Sequence, residues 1–328
     1  MKILIAEFAV GTGAEKSLIP EGAAMLKTLT KSFVRLGHEV YYPSAGTKIC
    51  AGTVLKSTAE NFRQVIERKA QDCDAGLVIA PDWMLPELNR ILEESTVNLG
   101  CSPESAACCA DKLLCTKILQ KAGIKAPELA AEPEKGKKYV TKPRFGCGAE
   151  ATYLVTEFEN NYENNEEFIA SEYIEGTHLS VSLIAGQKPL PLTVNRQFIE
   201  FIQSKGKIEE NDGGIERNGQ KAGILGIKYN GSQTPYLTPK SIELYETAIS
   251  TAECLKCFGY VGIDMVLSDV PHVVDVNPRP TASLFGISRV MREEIGDLLL
   301  RNKFGELPDS VHIEGKHCFS KDDLEQML

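Results

Sequence analysis

Along the first hundred residues the hydrophobic positions switch between short unbroken runs and a spacing near 3.6, the mark of strands alternating with helices. Lys2–Glu7 is a short apolar run, and Glu21–Leu36 has helical periodicity that stops at Gly37. Glu39–Tyr42 is rich in β-formers, Leu55–Lys69 is again helical, and Asp74–Ala80 is a third buried strand. This order predicts an open, mostly parallel α/β sheet, a fold in which ligands approach the carboxyl ends of the strands. Ser102–Gly123 then reads as a helical pair, with Ser102 as N-cap, Pro103 at the first position and Gly123 as the stop.

From Lys138 to Pro191 the period changes to two, after a polar connection over Ala130–Lys138. The predicted strands there are antiparallel members of a smaller sheet, and the acidic run Asn160–Glu167 is an exposed loop. Further strands are expected at Leu192–Phe201, Gly262–Leu267 and His272–Val276, with helices at Pro239–Phe258 and Ser283–Phe304. The fold class is therefore α/β, with α+β character in the small lobe. The organisation is an α/β domain over 1–100, linker helices and a small lobe over 101–190, and a large lobe over 191–328.

Composition narrows the function. A chain of 328 residues exceeds one ordinary core and suits two or three lobes. With 43% hydrophobic and 25% charged residues it is globular, and its net charge of −9 argues against a nucleic-acid partner, which would need Lys and Arg contacts to phosphate. No apolar run approaches the roughly 20 residues of a membrane span, so a cytoplasmic protein is expected. The ten cysteines are spread along the chain and read as buried free thiols. Cys254 and Cys257 lack the second pair that a zinc site requires.

Four stretches carry candidate chemistry. The loop Gly11-Thr-Gly13-Ala-Glu15-Lys16-Ser17 invites a phosphate-loop reading, but Glu15 stands where the second glycine should be, so a tight turn or a substrate-facing loop is expected. Near the C-terminus, Gly262-Ile-Asp264 is followed by Val274-Asp275-Val-Asn277-Pro-Arg279. Asp275 and Asn277 share one face of a strand, and with Asp264 they make a hard-oxygen set suited to Mg²⁺, while Arg279 offers a fork of donors to a phosphoryl or carboxylate group. Lys142, at the end of a β run before Gly146 and Gly148, can hold phosphates. Glu172-Tyr173-Ile174-Glu175-Gly176 is a β run broken by glycine, a candidate hinge whose backbone meets a base while Glu175 or His178 meets ribose hydroxyls. Taken singly, each has a bland alternative: loop-capping acids, a common hairpin, a charged turn.

In order, Asp111-Lys112, Lys142-Pro-x-x-Gly-x-Gly, Glu172-x-x-Glu175-Gly, Asp264 and Asp275-x-Asn277-Pro-Arg279 resemble the pattern of the ATP-grasp superfamily, over roughly residues 101–328. The resemblance implies that Lys112 and Lys142 hold ATP phosphates and that the main chain around Glu172, Tyr173 and Ile174 holds adenine. It further implies Glu175 or His178 on the ribose, Asp264, Asp275 and Asn277 on Mg²⁺ (or Mn²⁺), and Arg279 on the transferred phosphoryl. Asp275 stands where Glu is more usual, and His178 where an acid is. The opening MKILIAEFAVGTG, Asn195-Arg196-Gln197 and the Tyr229-Asn-Gly231 loop look like the archaeal tyramine–glutamate ligases of methanofuran biosynthesis.

What this resemblance implies is a ligase joining a small-molecule carboxylate to an amine through an acyl phosphate, with glutamate and tyramine as substrates. Arg196 would bind a carboxylate or acyl-phosphate oxygen, and Tyr153, Phe198 and Phe201 would line a phenol pocket. The alternatives are another ATP-grasp amino-acid ligase or a nucleotide-binding regulatory protein without turnover. A homodimer is compatible with all three.

Overall fold

The computed structural model describes residues 1–130, 134, 136–146, 151–156, 167–203 and 223–326. The chain opens with β1 (Lys2–Glu7), the single turn α1 (Phe8–Thr12) and the long helix α2 (Ile19–Arg35). Then come β2 (Glu39–Ser44), β3 (Thr53–Lys56), α3 (Phe62–Ala70), β4 (Ala75–Ile79), α4 (Leu85–Ser95) and β5 (Val97–Asn98). Their strands form one parallel five-stranded sheet in the order β3-β2-β1-β4-β5. The central strands β1 and β4 are buried nearly end to end because helices cover both faces, which explains their unbroken apolar runs.

Two helices, α5 (Pro103–Ala110) and α6 (Lys112–Lys121), lead out of this sheet. Ser102 accepts from the N–H of Ser105, and Gly123 closes the pair with φ of 78°, as the capping pattern predicts. The second sheet contains β6 (Tyr139–Pro143), β7 (Tyr153–Val155), β8 (Phe168–Glu172), β9 (Thr177–Ala185), β10 (Leu190–Gln203) and β11 (Ile224–Thr234). After α7 (Ser241–Cys254) it is completed by β12 (Gly259–Leu267) and β13 (Pro271–Asn277). The chain ends with α8 (Ser283–Val290), α9 (Ile295–Phe304), β14 (His317–Ser320) and α10 (Lys321–Glu325). The order across this nine-stranded sheet is β13-β12-β9-β10-β11-β7-β6-β8, with β14 on β11, and every pairing is antiparallel. Under it, Leu244, Ala248 and Ala252 of α7 pack against Leu179, Val181 and Leu183.

The structure differs from the sequence reading in four places. β3 overlaps the first two residues of the stretch expected to be helical, Leu55–Lys69; its four residues pair in parallel with β2 and the helix starts only at Phe62. The helix expected over Ser283–Phe304 is two: Met291 bridges to Ile313 and Arg292 donates its N–H to the His312 carbonyl, so the chain leaves the helix for a tertiary partner. The strands assigned to a separate smaller sheet join the larger ladder through β7 and β11. Tyr229-Asn-Gly231 lies within β11 rather than in a loop, and Gly231 is required there: its φ is 128° and a Cβ would come within 2.1 Å of the Phe319 carbonyl oxygen. The run 160–166 and Gly148 lie outside the described residues. Among the described residues no helix is long and apolar enough to cross a membrane, and the nine cysteines there are all free.

Candidate active site

A cavity of about 290 Å³ opens between the carboxyl end of β1, the first turns of α2, the start of α6 and the concave face of the large sheet. Asp264 on β12 and Asp275 on β13 are directly opposed in register, and the period of two brings Asn277 to their face. The Asn277 amide donates to Asp264 Oδ2 at 3.3 Å, and Gln197 of β10 donates to Oδ1 at 2.9 Å. Burial, reinforced by the charge of Asp275, pushes the Asp264 carboxyl up to about 7, against the lowering effect of Asn277, Gln197 and Lys142. For Asp275 burial works in the same direction, but Lys112 and Lys142 outweigh it and hold the group below the usual carboxylate range.

Three cations face these acids. Lys112 starts α6, whose N-cap Asp111 accepts from Leu114 N–H at 3.1 Å. Its ammonium lies 2.9 Å from Asp82 and 3.5 Å from Asp275, and donates to the Gly146 carbonyl at 2.7 Å. Burial alone would lower its pKa, but the carboxylates of Asp275 and Asp82 prevail and raise it. Lys142 reaches across from β6 and donates to the Val274 carbonyl at 2.6 Å, and burial lowers its pKa in spite of Asp275. Arg279 sits 3.9 Å from Asp82, its side chain 11% exposed, and its buried Nε has no hydrogen-bond partner among the described residues.

The cavity has two chemically distinct ends. One is an aliphatic slot made by Val140, Ile169, Ile199, Ile227, Val266 and Val274, edged by Glu172, Tyr173, Ile174 and His178. The N–H of Glu172 is bonded to the Glu128 carbonyl and that of Tyr173 to the Lys138 carbonyl, while Ile174 lies beyond the end of β8. Gly176 admits the close return of the chain, since a Cβ there would meet the Leu267 carbonyl oxygen at 2.3 Å. Burial keeps His178 below its ordinary pKa, so its imidazole is neutral at pH 7.

The other end is lined by Glu7, Glu21, Gly22, Met25, Tyr229 and Ser283. Glu7 closes β1 and caps α1 by accepting from Val10 N–H at 2.7 Å. Burial raises its carboxyl to about 7, partly offset by the Val10 and Ala9 amides and by Arg279. Glu21 lies 2.9 Å from Lys321.

Among the described residues no three His, Cys, Asp or Glu side chains converge as a metal cluster. The donors present are two carboxylates and one amide, and these fit a hard divalent cation. Burial is the main cause that raises Asp264, and the charge of Asp275 that adds to it is one that a cation beside the two would relieve.

Residues 109–283 match the family model of the ATP-grasp domain. The chain belongs to the ATP-grasp family. Its enzymes use ATP and a divalent metal, and the chain is an enzyme of the ATP-grasp ligase type. The ATP-grasp chain is 28% identical to the tyramine–L-glutamate ligase of Methanocaldococcus fervens, over 96% of its own length and 98% of the relative's. It is also 28% identical to the ligase of the same name from Methanocaldococcus jannaschii, over 93% and 90% of the two chains. A crystal structure of an ATP-grasp superfamily protein from Archaeoglobus fulgidus superposes with a TM-score of 0.75 and 27% identity, covering 97% of this chain and 91% of that one.

The cavity of this ATP-grasp chain gathers Lys112, Lys142, Glu172, Tyr173, Ile174, His178, Asp264, Asp275, Asn277 and Arg279. Two of the expected site residues lie elsewhere. Arg196 is exposed and stacks over the Tyr236 ring at 5.7 Å, because strand alternation on β10 gives the cavity to Gln197 and Ile199 and turns position 196 to the other face. Glu175 is exposed at the turn before Gly176 and does not line the cavity. Tyr153, Phe198 and Phe201 are likewise absent from the lining; Phe201 instead packs 6.3 Å from the Tyr173 ring. Among the described residues, the phenyl and phenol rings lining the cavity are those of Phe8, Tyr173 and Tyr229. The Gly11 loop is a helical turn ended by Gly13 in the left-handed region, with φ of 67°.

None of the motifs gives a role to Glu7, Glu21, Asp82 or Gln197, although Glu7 and Gln197 lie within the quoted stretches MKILIAEFAVGTG and Asn195-Arg196-Gln197. A readable signal existed for Gln197, since placing the strand's apolar alternation one residue later selects it over Arg196. An acid closing the first buried strand, Glu7, was a second such signal.

Proposed function

We propose that the chain forms γ-glutamyltyramine from L-glutamate, tyramine and ATP, releasing ADP and phosphate. One observation carries the reading: a single cavity holds Lys142, Arg279 and the Asp264–Asp275–Asn277 set at its centre, an aliphatic slot at one end, and two carboxylates at the other. The slot suits a planar base, with Ile174 main chain and the neutral His178 beside it. The central cations suit phosphates, and Glu7 and Glu21 suit the ammonium groups of amino-acid and amine substrates. The names of the two Methanocaldococcus relatives support the choice of substrates.

The substrate carboxylate oxygen attacks the γ-phosphorus of ATP, the bond to ADP breaks, and an acyl phosphate results. The amine nitrogen then attacks the acyl carbon, phosphate departs, and the amine releases its proton to solvent. A divalent cation such as Mg²⁺, held by Asp264, Asp275 and Asn277, neutralises phosphate charge when bound. Lys142 and Arg279 stabilise the charge that develops on the transferring phosphoryl, and Lys112 holds Asp275 in position for its role. No protein nucleophile is needed, since phosphoryl transfer depends on positioning and charge.

The test is ADP release from ATP, Mg²⁺ and glutamate with a panel of tyramine, phenethylamine and simple alkylamines, with the product identified by mass. Tyramine is expected to give the highest turnover. Equal turnover with alkylamines would reject tyramine as the substrate.

A further inference from the structure

Helix α2 separates two cavities. Leu18, Glu21, Gly22 and Met25 face the active-site cavity, while Ala23, Ala24, Lys27, Thr28 and Lys31 face a second one, also of about 300 Å³. The second cavity lies between α2, the turn at 47–49 and the segment joining α8 to α9. Among the described residues six cations line it: Lys27, Lys31, Arg35, Lys48, Arg289 and Arg292. Against them stand two acids, Glu293 and Glu294, in a chain whose net charge is −9.

Those acids are already engaged. Glu294 pairs with Arg35 at 3.2 Å, Glu293 accepts from His312, and Arg292 pairs with Glu314 outside the cavity. Among the described residues Lys31, Lys48 and Arg289 have no carboxylate within ion-pair distance; Arg289 lies 5.1 Å over the Phe285 ring. Lys27, Lys31 and Arg35 also stand at i, i+4 and i+8 on one helix face, where like charges repel and weaken the helix. A solvated surface stripe would tolerate such repulsion. Here Glu294 answers Arg35 and Glu314 answers Arg292, but Lys31 shares the concavity with Lys48 and Arg289, whose charges add to the repulsion.

We propose that this cavity binds a compact polyanion, a small molecule carrying several phosphate or carboxylate groups, at a site separate from the nucleotide pocket. The volume is near the lower limit of small-molecule sites, about 300 Å³, and the acidic remainder of the surface opposes a long polymer. The ligand bridges Lys31 of α2 and Lys48 to Arg289 of α8. Both helices so joined also wall the active-site cavity, α2 through Glu21 and Met25 and α8 through Ser283.

The experiment is calorimetric titration of inorganic triphosphate, and separately of citrate, into the full chain without metal. Three chains are compared: the unaltered protein, Lys142→Ala, and the double variant Lys31→Glu/Arg289→Glu. Binding is expected to persist in Lys142→Ala, to weaken about tenfold or more in the double variant, and to weaken with added salt. If the charge-reversed chain does not fold, Lys31→Gln/Arg289→Gln carries the same expectation. Binding of triphosphate alone identifies phosphates as the ligand class, and comparable binding of citrate extends it to polycarboxylates. The proposal is overturned if neither anion binds Lys142→Ala, or if removing the groove charges leaves the affinity unchanged. Neither result bears on the ligase reading, which the amine panel tests by itself.

Discussion

Lys142 donates to the carbonyl of Val274 at 2.6 Å, one residue before Asp275, and so ties a strand near one end of the large sheet to the strand at the other end. The sheet is curled far enough for its β6 cation to sit on the strand that bears the acids.

Replacing Lys142 by Ala should leave the protein folded, because its recorded hydrogen bond goes to a backbone carbonyl that can take water instead. ADP release should fall by about a hundredfold or more, the usual scale for removing a donor that faces developing charge. Circular dichroism and an ADP-coupled assay measure the two effects.

Lys112 makes the two acids beside it unequal. Asp82 is the nearer partner, and both side chains of that pair are almost fully buried, whereas Asp275 is 24% exposed. Asp82→Asn should therefore cost more stability, about 3 kcal/mol or above, than Asp275→Asn, since losing the close buried partner leaves an ammonium poorly compensated. Denaturant midpoints give the comparison. Turnover should show the reverse emphasis, with Asp275→Asn the more damaging change.

Positions 196 and 197 offer a test of strand alternation. Arg196→Ala should retain ADP release within about threefold, as an exposed side chain on the far face. Gln197→Ala removes a donor to Asp264 and should lower turnover by about tenfold or more. Equal losses at the two positions would contradict the orientation described for β10.

Glu7 gives a pH signature. Its carboxyl rises from 4.5 in the unfolded chain to about 7 in the fold, so the protonated form is the one favoured by folding. Both states are protonated below pH 4.5 and no penalty exists there; the penalty grows as pH rises and is complete above about 7, where it amounts to about 3 kcal/mol. The stability difference between Glu7→Gln and the unaltered protein should therefore shift in favour of the variant by about that amount between pH 4.5 and pH 8. Urea titrations at the two pH values measure it, and a difference that does not change with pH would show that Glu7 is not perturbed.

The parts of the site that could be read from the sequence are those whose chemistry and local geometry coincide. Asp275-x-Asn277 is one strand's face, and the pairing of Asp264 with Asp275 follows from two short adjacent apolar strands. Arg196 shows the limit of such reading, because a one-residue error in phase reverses every side chain on a strand. Glu7 and Asp82 show another: each ends or follows a strand of the first sheet and meets the large sheet only through the fold, Asp82 through Lys112 and Glu7 through Arg279. β3 is not legible because four largely exposed residues carry too little apolar signal to stand against the helical pattern that follows. The break between α8 and α9 carries no Gly or Pro, and its cause is the distant strand-like partner at His312 and Ile313.

The two acids at the far end of the cavity, Glu7 and Glu21, both come from the first 25 residues, whereas the central cations and the aliphatic slot come from residue 112 onward. On the proposed reading, the carboxylates that would meet substrate ammonium groups and the cations that would meet phosphate are therefore inherited on separable stretches of chain. A descendant could change how it meets a co-substrate's ammonium group through the opening segment, with its phosphate chemistry carried forward unchanged.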